Sequence, residues 1–112
     1  MTMKRFYRIL SSKERELIVR DQCIKPSIKD WVIYPPGTVV FLFDLGKTDP
    51  CHLTKIPKLH HDEYGDTWIL EFDGNISTVP DESQKGWPGA VVFHGTILFS
   101  NISNITWKHF DQ

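Results

Sequence analysis

Thr38-Val39-Val40-Phe41-Leu42-Phe43-Asp44 is a nearly continuous apolar run ended by a charge, the pattern of a strand covered on both faces. Downstream, Thr67-Trp68-Ile69-Leu70-Glu71-Phe72-Asp73 and Ala90-Val91-Val92-Phe93-His94 repeat it. Gly74-Asn75 predicts a turn from the second of these into a short strand at 76–79, and a loop fills 80–89. Thr96-Ile97-Leu98-Phe99 extends the strand at 90–94 past Gly95, with a bulge at the glycine. Residues 101–110 read as a short turn or a last strand.

Upstream, residues 4–10 alternate loosely, Phe6, Arg8 and Leu10 against Arg5, Tyr7 and Ile9, and predict a strand. Ser11, with Glu14 three positions on, is a capping box: the hydroxyl caps a free amide and the carboxylate reaches back. A helix follows over 12–22, packing the narrow stripe of Leu17, Ile18 and Val19 on a sheet. Pro26 and Tyr34-Pro35-Pro36-Gly37 make 24–37 a structured loop. Residues 45–66 mix Gly, Pro, His and Asp without period and predict an irregular connection, the kind of long loop that often carries function. Strands outnumber helices, so the expected class is α+β: a mainly antiparallel sheet, or two small sheets, with one or two helices.

At 112 residues, 40% hydrophobic and 24% charged, the chain has the size and composition of one globular domain, 1–112, and not of a multidomain machine. No stretch approaches the roughly 20 apolar residues of a membrane span, and Met1-Thr2-Met3-Lys4-Arg5-Phe6 lacks the apolar stretch of a secretory signal. The expectation is a cytoplasmic protein without membrane partners, in which Cys23 and Cys51 stay reduced. Residues 1–30 hold eight basic and four acidic side chains, net +4, so the remainder of a chain with overall charge -1 carries -5. That division suits a phosphate-bearing ligand at one face, or a solvated helix face.

Three segments occur in a suggestive order. Phe6-Tyr7-Arg8-Ile9-Leu10 leads into the helix that runs to Cys23-Ile24-Lys25-Pro26-Ser27; Tyr34-Pro35-Pro36-Gly37-Thr38-Val39-Val40-Phe41 follows; Gly89-Ala90-Val91-Val92-Phe93-His94-Gly95-Thr96-Ile97 comes late, with Ile102 after it. Together they resemble the small ADP-ribosyltransferases, the group that includes DNA-modifying toxins and the RNA 2'-phosphotransferase. The resemblance implies an ADP-ribosyltransferase-like fold and NAD or a related nucleotide as ligand, with nucleic acid or protein as the acceptor of ADP-ribose. It assigns Arg8, or Tyr7 beside it, to the nicotinamide ribose or phosphate, which a planar guanidinium can hold with two parallel hydrogen bonds. Tyr34 or Phe41 would stack on nicotinamide. Active members also carry a glutamate at or just before the late strand. Here that strand starts Pro88-Gly89-Ala90, which leaves Glu82 as the nearby candidate catalytic acid and Glu71 on a different strand.

Other chemistry is weaker. Cys51-His52 and His60-His61-Asp62-Glu63 offer metal ligands in one loop, but the spacing matches no zinc signature and no metal site is assigned. Cys23 and His94 are the elements of a thiolate–imidazole pair that nothing in the sequence brings together. Lys4, Arg5 and Arg8 with Phe6, Tyr7 and Trp31 combine charge and stacking faces, as a nucleic-acid binder does. The alternative to an enzyme is a binding or inhibitor module whose acidic loops, Asp62-Glu63 and Asp81-Glu82, engage a basic protein partner.

Overall fold

The computed structural model describes residues 3–28 and 33–110. Its elements are β1 (Lys4–Leu10), α1 (Ser12–Asp21), β2 (Cys23–Ile24), β3 (Val39–Asp44), α2 (His52–Tyr64), β4 (Trp68–Gly74), β5 (Val79–Pro80), β6 (Ala90–His94), β7 (Ile97–Leu98) and β8 (Ile102–His109). Six strands form an antiparallel sheet in the order β5-β6-β3-β1-β4-β8, and β2 pairs with β7 in a two-stranded sheet. This is the expected α+β class.

Strand alternation sorts the core onto two faces. On one, Phe6, Leu10, Val40, Leu42, Leu70, Phe72 and Val91 pack with Ile18 of α1, Ile24 of β2 and Ile97 of β7. On the other, Tyr7, Phe43, Ile69 and Ala90 pack with Ile56 of α2 and with Trp87. The central strands are covered on both sides, as their apolar runs require.

Helix α1 keeps half of its capping box. The Glu14 amide donates to Ser11 Oγ at 3.3 Å, but the Glu14 carboxylate turns to Arg8 instead of reaching back. Gln22 ends the helix in the left-handed region at φ 54° and donates its backbone N–H to Ile18 O.

Three expectations need correction. Residues 45–66 are not an irregular connection: they contain the thirteen-residue helix α2. Pro57 in its second turn removes the one N–H that would meet Leu53 O, and Gly65 closes the helix at φ 74°. The short strand expected at 76–79 as a hairpin with β4 is instead β5, Val79–Pro80, paired with β6. Both sides of β4 are already taken by β1 and β8. Gly95 is not a bulge within a longer strand: at φ 109° it is the corner where the chain leaves the large sheet and β7 joins β2. Of the two alternatives for residues 101–110, the last strand is the one observed: β8, at eight residues, is the longest described strand.

Candidate functional site

The residues that sequence reasoning selects come together only in part: Tyr34, Phe41 and Glu82 adjoin, and Arg8 and Tyr7 do not join them in one site. Arg8 and Tyr7 are consecutive on β1 and point to opposite faces. Arg8 Nε and Nη2 donate to the two carboxylate oxygens of Glu14 at 2.6 and 2.9 Å, Nη1 donates to Phe41 O at 2.8 Å, and the side chain is 12% exposed. This pins α1 to the sheet. Tyr7 is buried beneath α2, stacked on Phe43 with ring centroids 5.0 Å apart. Its hydroxyl has no hydrogen-bond partner, and burial, reinforced by the Glu71 carboxylate, pushes its pKa up to about 12.

Tyr34 and Phe41 meet edge to face at 5.9 Å in a small cluster with Val39 and Val92. The Tyr34 hydroxyl accepts the Glu82 backbone N–H at 3.1 Å, so Tyr34 and Glu82 do adjoin. The Glu82 carboxylate is exposed beside Lys85 Nζ at 3.5 Å. Of two open concavities, one of about 350 Å³ is lined by Glu82, Lys85 and Trp87, and one of about 430 Å³ by Lys4, Arg5, Asp44 and Lys47. Neither is lined by Tyr7, Arg8, Tyr34 or Phe41. Glu71 is paired with Arg5 at 3.1 Å.

The nucleic-acid face read from the sequence is not assembled either. Phe6 and Tyr7 are core residues, Arg5 is bonded to Glu71, Asp73, Thr106 and Asn104 O, and Trp31 lies outside the described residues. The acidic loops are split. Trp87, beside Glu82, packs on His52 at the start of α2, whereas Asp62 lies ten residues further along the helix, about 15 Å away along its axis. Asp81 is 4% exposed and its carboxylate is occupied by the Ser83 amide, Ser83 Oγ and Gln84 Nε2. Among the described residues no three potential metal ligands cluster, and Cys23, buried on β2, makes no contact shown with the exposed His94.

The large sheet does offer one unfilled recognition element, its β8 edge. The opposite edge, β5, is two residues long and ends in Pro80, which has no N–H to donate. Along β8, His109 faces Trp68, Lys108 faces Ile69, Trp107 faces Leu70 and Thr106 faces Glu71. The Phe110 amide donates to Thr67 O at 2.9 Å. Hydrogen-bonded and non-hydrogen-bonded pairs alternate in an antiparallel ladder, so Phe110, Lys108 and Thr106 bond to β4. The N–H and C=O groups of Trp107 and His109 consequently point outward. No described strand covers them.

The chain matches no family model, no curated protein and no solved structure.

Side-chain contacts at both ends tie this edge to β4, β1 and α1. At its start, Asn104 adopts φ 51° in a register shift opposite β4 and donates Nδ2 to Asp73 at 2.7 Å, while Arg5 bonds Asp73, Thr106 and Asn104 O. Toward its end, the Arg15 guanidinium of α1 lies over Trp68 and Trp107, 4.3 and 5.3 Å from their ring centres. His109 packs on Trp68 with centroids 4.6 Å apart. Trp68 Nε1 in turn donates to Ser12 Oγ, which donates to Asp66. The Ser12 amide and hydroxyl, both bonded to Asp66, hold that carboxyl below its ordinary range. The alternation Ile105-Thr106-Trp107-Lys108-His109 is the signal that marks this edge in the sequence. Nothing local shows that no other strand lies beyond it. Among the described residues no helix is long and apolar enough to cross a membrane.

Proposed function

We propose that this chain is a protein-binding module that takes an extended segment of a partner as a seventh strand along β8. The observation that carries the reading is the outward-directed backbone groups of Trp107 and His109 on an eight-residue edge strand. Main-chain hydrogen bonds supply the affinity in such strand addition, and the side chains on the two faces supply the selectivity. The asymmetry of the sheet supports it, because one edge ends in proline and the other does not.

The test compares His109→Pro with His109→Ala. Both lose the imidazole packed on Trp68, but only proline loses the outward N–H. Extended peptides selected on the immobilised protein should bind His109→Ala and fail on His109→Pro, and in the unaltered protein they should slow amide exchange at Trp107 and His109. Selected peptides that bind both variants alike and protect neither amide would overturn the proposal.

A further inference from the structure

We infer that the segment β8 takes is acidic, with carboxylates at two consecutive positions, one meeting Arg15 and the next meeting Lys108. The inference rests on the strand-addition reading and names the chemistry of its partner. An added strand places alternate side chains on the two faces of the sheet. The residue opposite Trp107 lies on the α1 face, beside the Trp107 ring and the Arg15 guanidinium above it. Arg15 is a cation without an acid there: no carboxylate pairs with it among the described residues, and its buried Nε–H has no acceptor. Asp66, the acid that joins this end of the sheet to α1, is taken up by Ser12.

The next residue of the added strand falls on the α2 face, opposite Lys108. Lys108 is exposed and forms no ion pair among the described residues. The acids on that face of β4, Glu71 and Asp73, are both held by Arg5, so neither is released to neutralise it. A carboxylate opposite Trp107 can form a paired, planar contact with the guanidinium, the geometry for which arginine is best suited. Its aliphatic stem would lie on the indole. Long side chains at diagonal positions across a strand pair are within reach of each other, so Glu fits this position better than Asp.

The experiment titrates the ¹⁵N-labelled full chain at low salt with an end-blocked octapeptide of Thr and Val carrying two central Glu. Its Gln-Gln and Lys-Lys counterparts and a thymidine oligonucleotide complete the set. The Glu peptide should bind about tenfold more tightly than the Gln peptide and protect the Trp107 and His109 amides. Arg15→Gln should cut the preference to the fewfold share that Lys108 supplies. Lys108→Gln, an exposed substitution with no packing role, should reduce the preference by a fewfold factor. Equal affinity for the Glu and Gln peptides, with both amides protected, would overturn the acidic preference and leave strand addition standing. Failure of every peptide to protect those amides would overturn strand addition and the inference with it. Tighter binding of the Lys peptide, or oligonucleotide binding lost in Arg15→Gln without amide protection, would also overturn it.

Discussion

The family resemblance gives Arg8 a ligand's phosphate or ribose to hold, and in the fold its guanidinium meets Glu14 and Phe41 O. Arg8→Ala leaves a carboxylate and a carbonyl without their donor, so it should destabilise the protein by about 2 kcal/mol, read as a lower urea midpoint. Tyr7 gives the opposite result. Removing its unpartnered hydroxyl in Tyr7→Phe should leave stability at pH 7 unchanged or raise it by about 1 kcal/mol. The folded phenol titrates near 12 and the unfolded one near 10. Its contribution is therefore complete below about pH 10 and is lost as pH rises toward 12, because the unfolded chain releases its proton first. Subtracting the Tyr7→Phe profile from that of the unaltered protein isolates this loss. A residue type and a plausible spacing were legible for Arg8, Tyr7, Tyr34, Phe41 and Glu82; which face each occupies was not, because that depends on strand neighbours far away in sequence. Tyr34 adjoins both Phe41 and Glu82, whereas Arg8 reaches only the Phe41 carbonyl and Tyr7 lies apart.

Elements announced by strong local patterns are where they were expected, as β1, α1, β3, β4 and β6 show. Helix α2 was hidden because its buried side is built around Pro57, Ile56, His60 and His61 in place of an aliphatic stripe, and because proline in a polar stretch reads as a break. Its start also lacks a conventional cap: Cys51 is the cap residue, and its amide is held by Asp49. Strand β8 was ambiguous because Asn104 interrupts its alternation, an irregularity that makes sense only beside Asp73 and Arg5. The derived ladder makes a direct prediction at this scale. In the free protein the amides of Trp107 and His109 should exchange with solvent much faster than those of Thr106, Lys108 and Phe110, in an every-other-residue pattern visible by ¹H–¹⁵N spectroscopy. Uniform protection along the strand would mean that something already covers the edge.

Over the whole molecule, the charge division legible in the first thirty residues is largely absorbed by internal pairing. Arg5 and Arg8 are bonded to acids from other elements or later positions, and Arg20 and Lys25 share Asp21. These pairings set the acid response. Bonds from Arg20 and Lys25 lower the Asp21 carboxyl to about 2, and bonds from Ser12 and from Asn104 and Arg5 lower those of Asp66 and Asp73 below 3.8. A carboxyl whose folded pKa is depressed stabilises the fold above its unfolded pKa and loses that contribution as pH falls through the folded value. These carboxyls should thus leave the urea midpoint unaffected above about pH 5 and lower it between pH 4 and pH 2. Asp21→Asn should shrink that decline.

Proline at one margin of the sheet and open backbone at the other also limit stoichiometry. Joining through β8 consumes the one long open edge of the large sheet among the described residues, so a union of two copies through it would be two-fold symmetric, with a proline-ended margin at each outer side. Growth of the large sheet into a fibre has no further long edge among the described residues on which to continue, and a guest segment that occupies β8 excludes self-pairing through it.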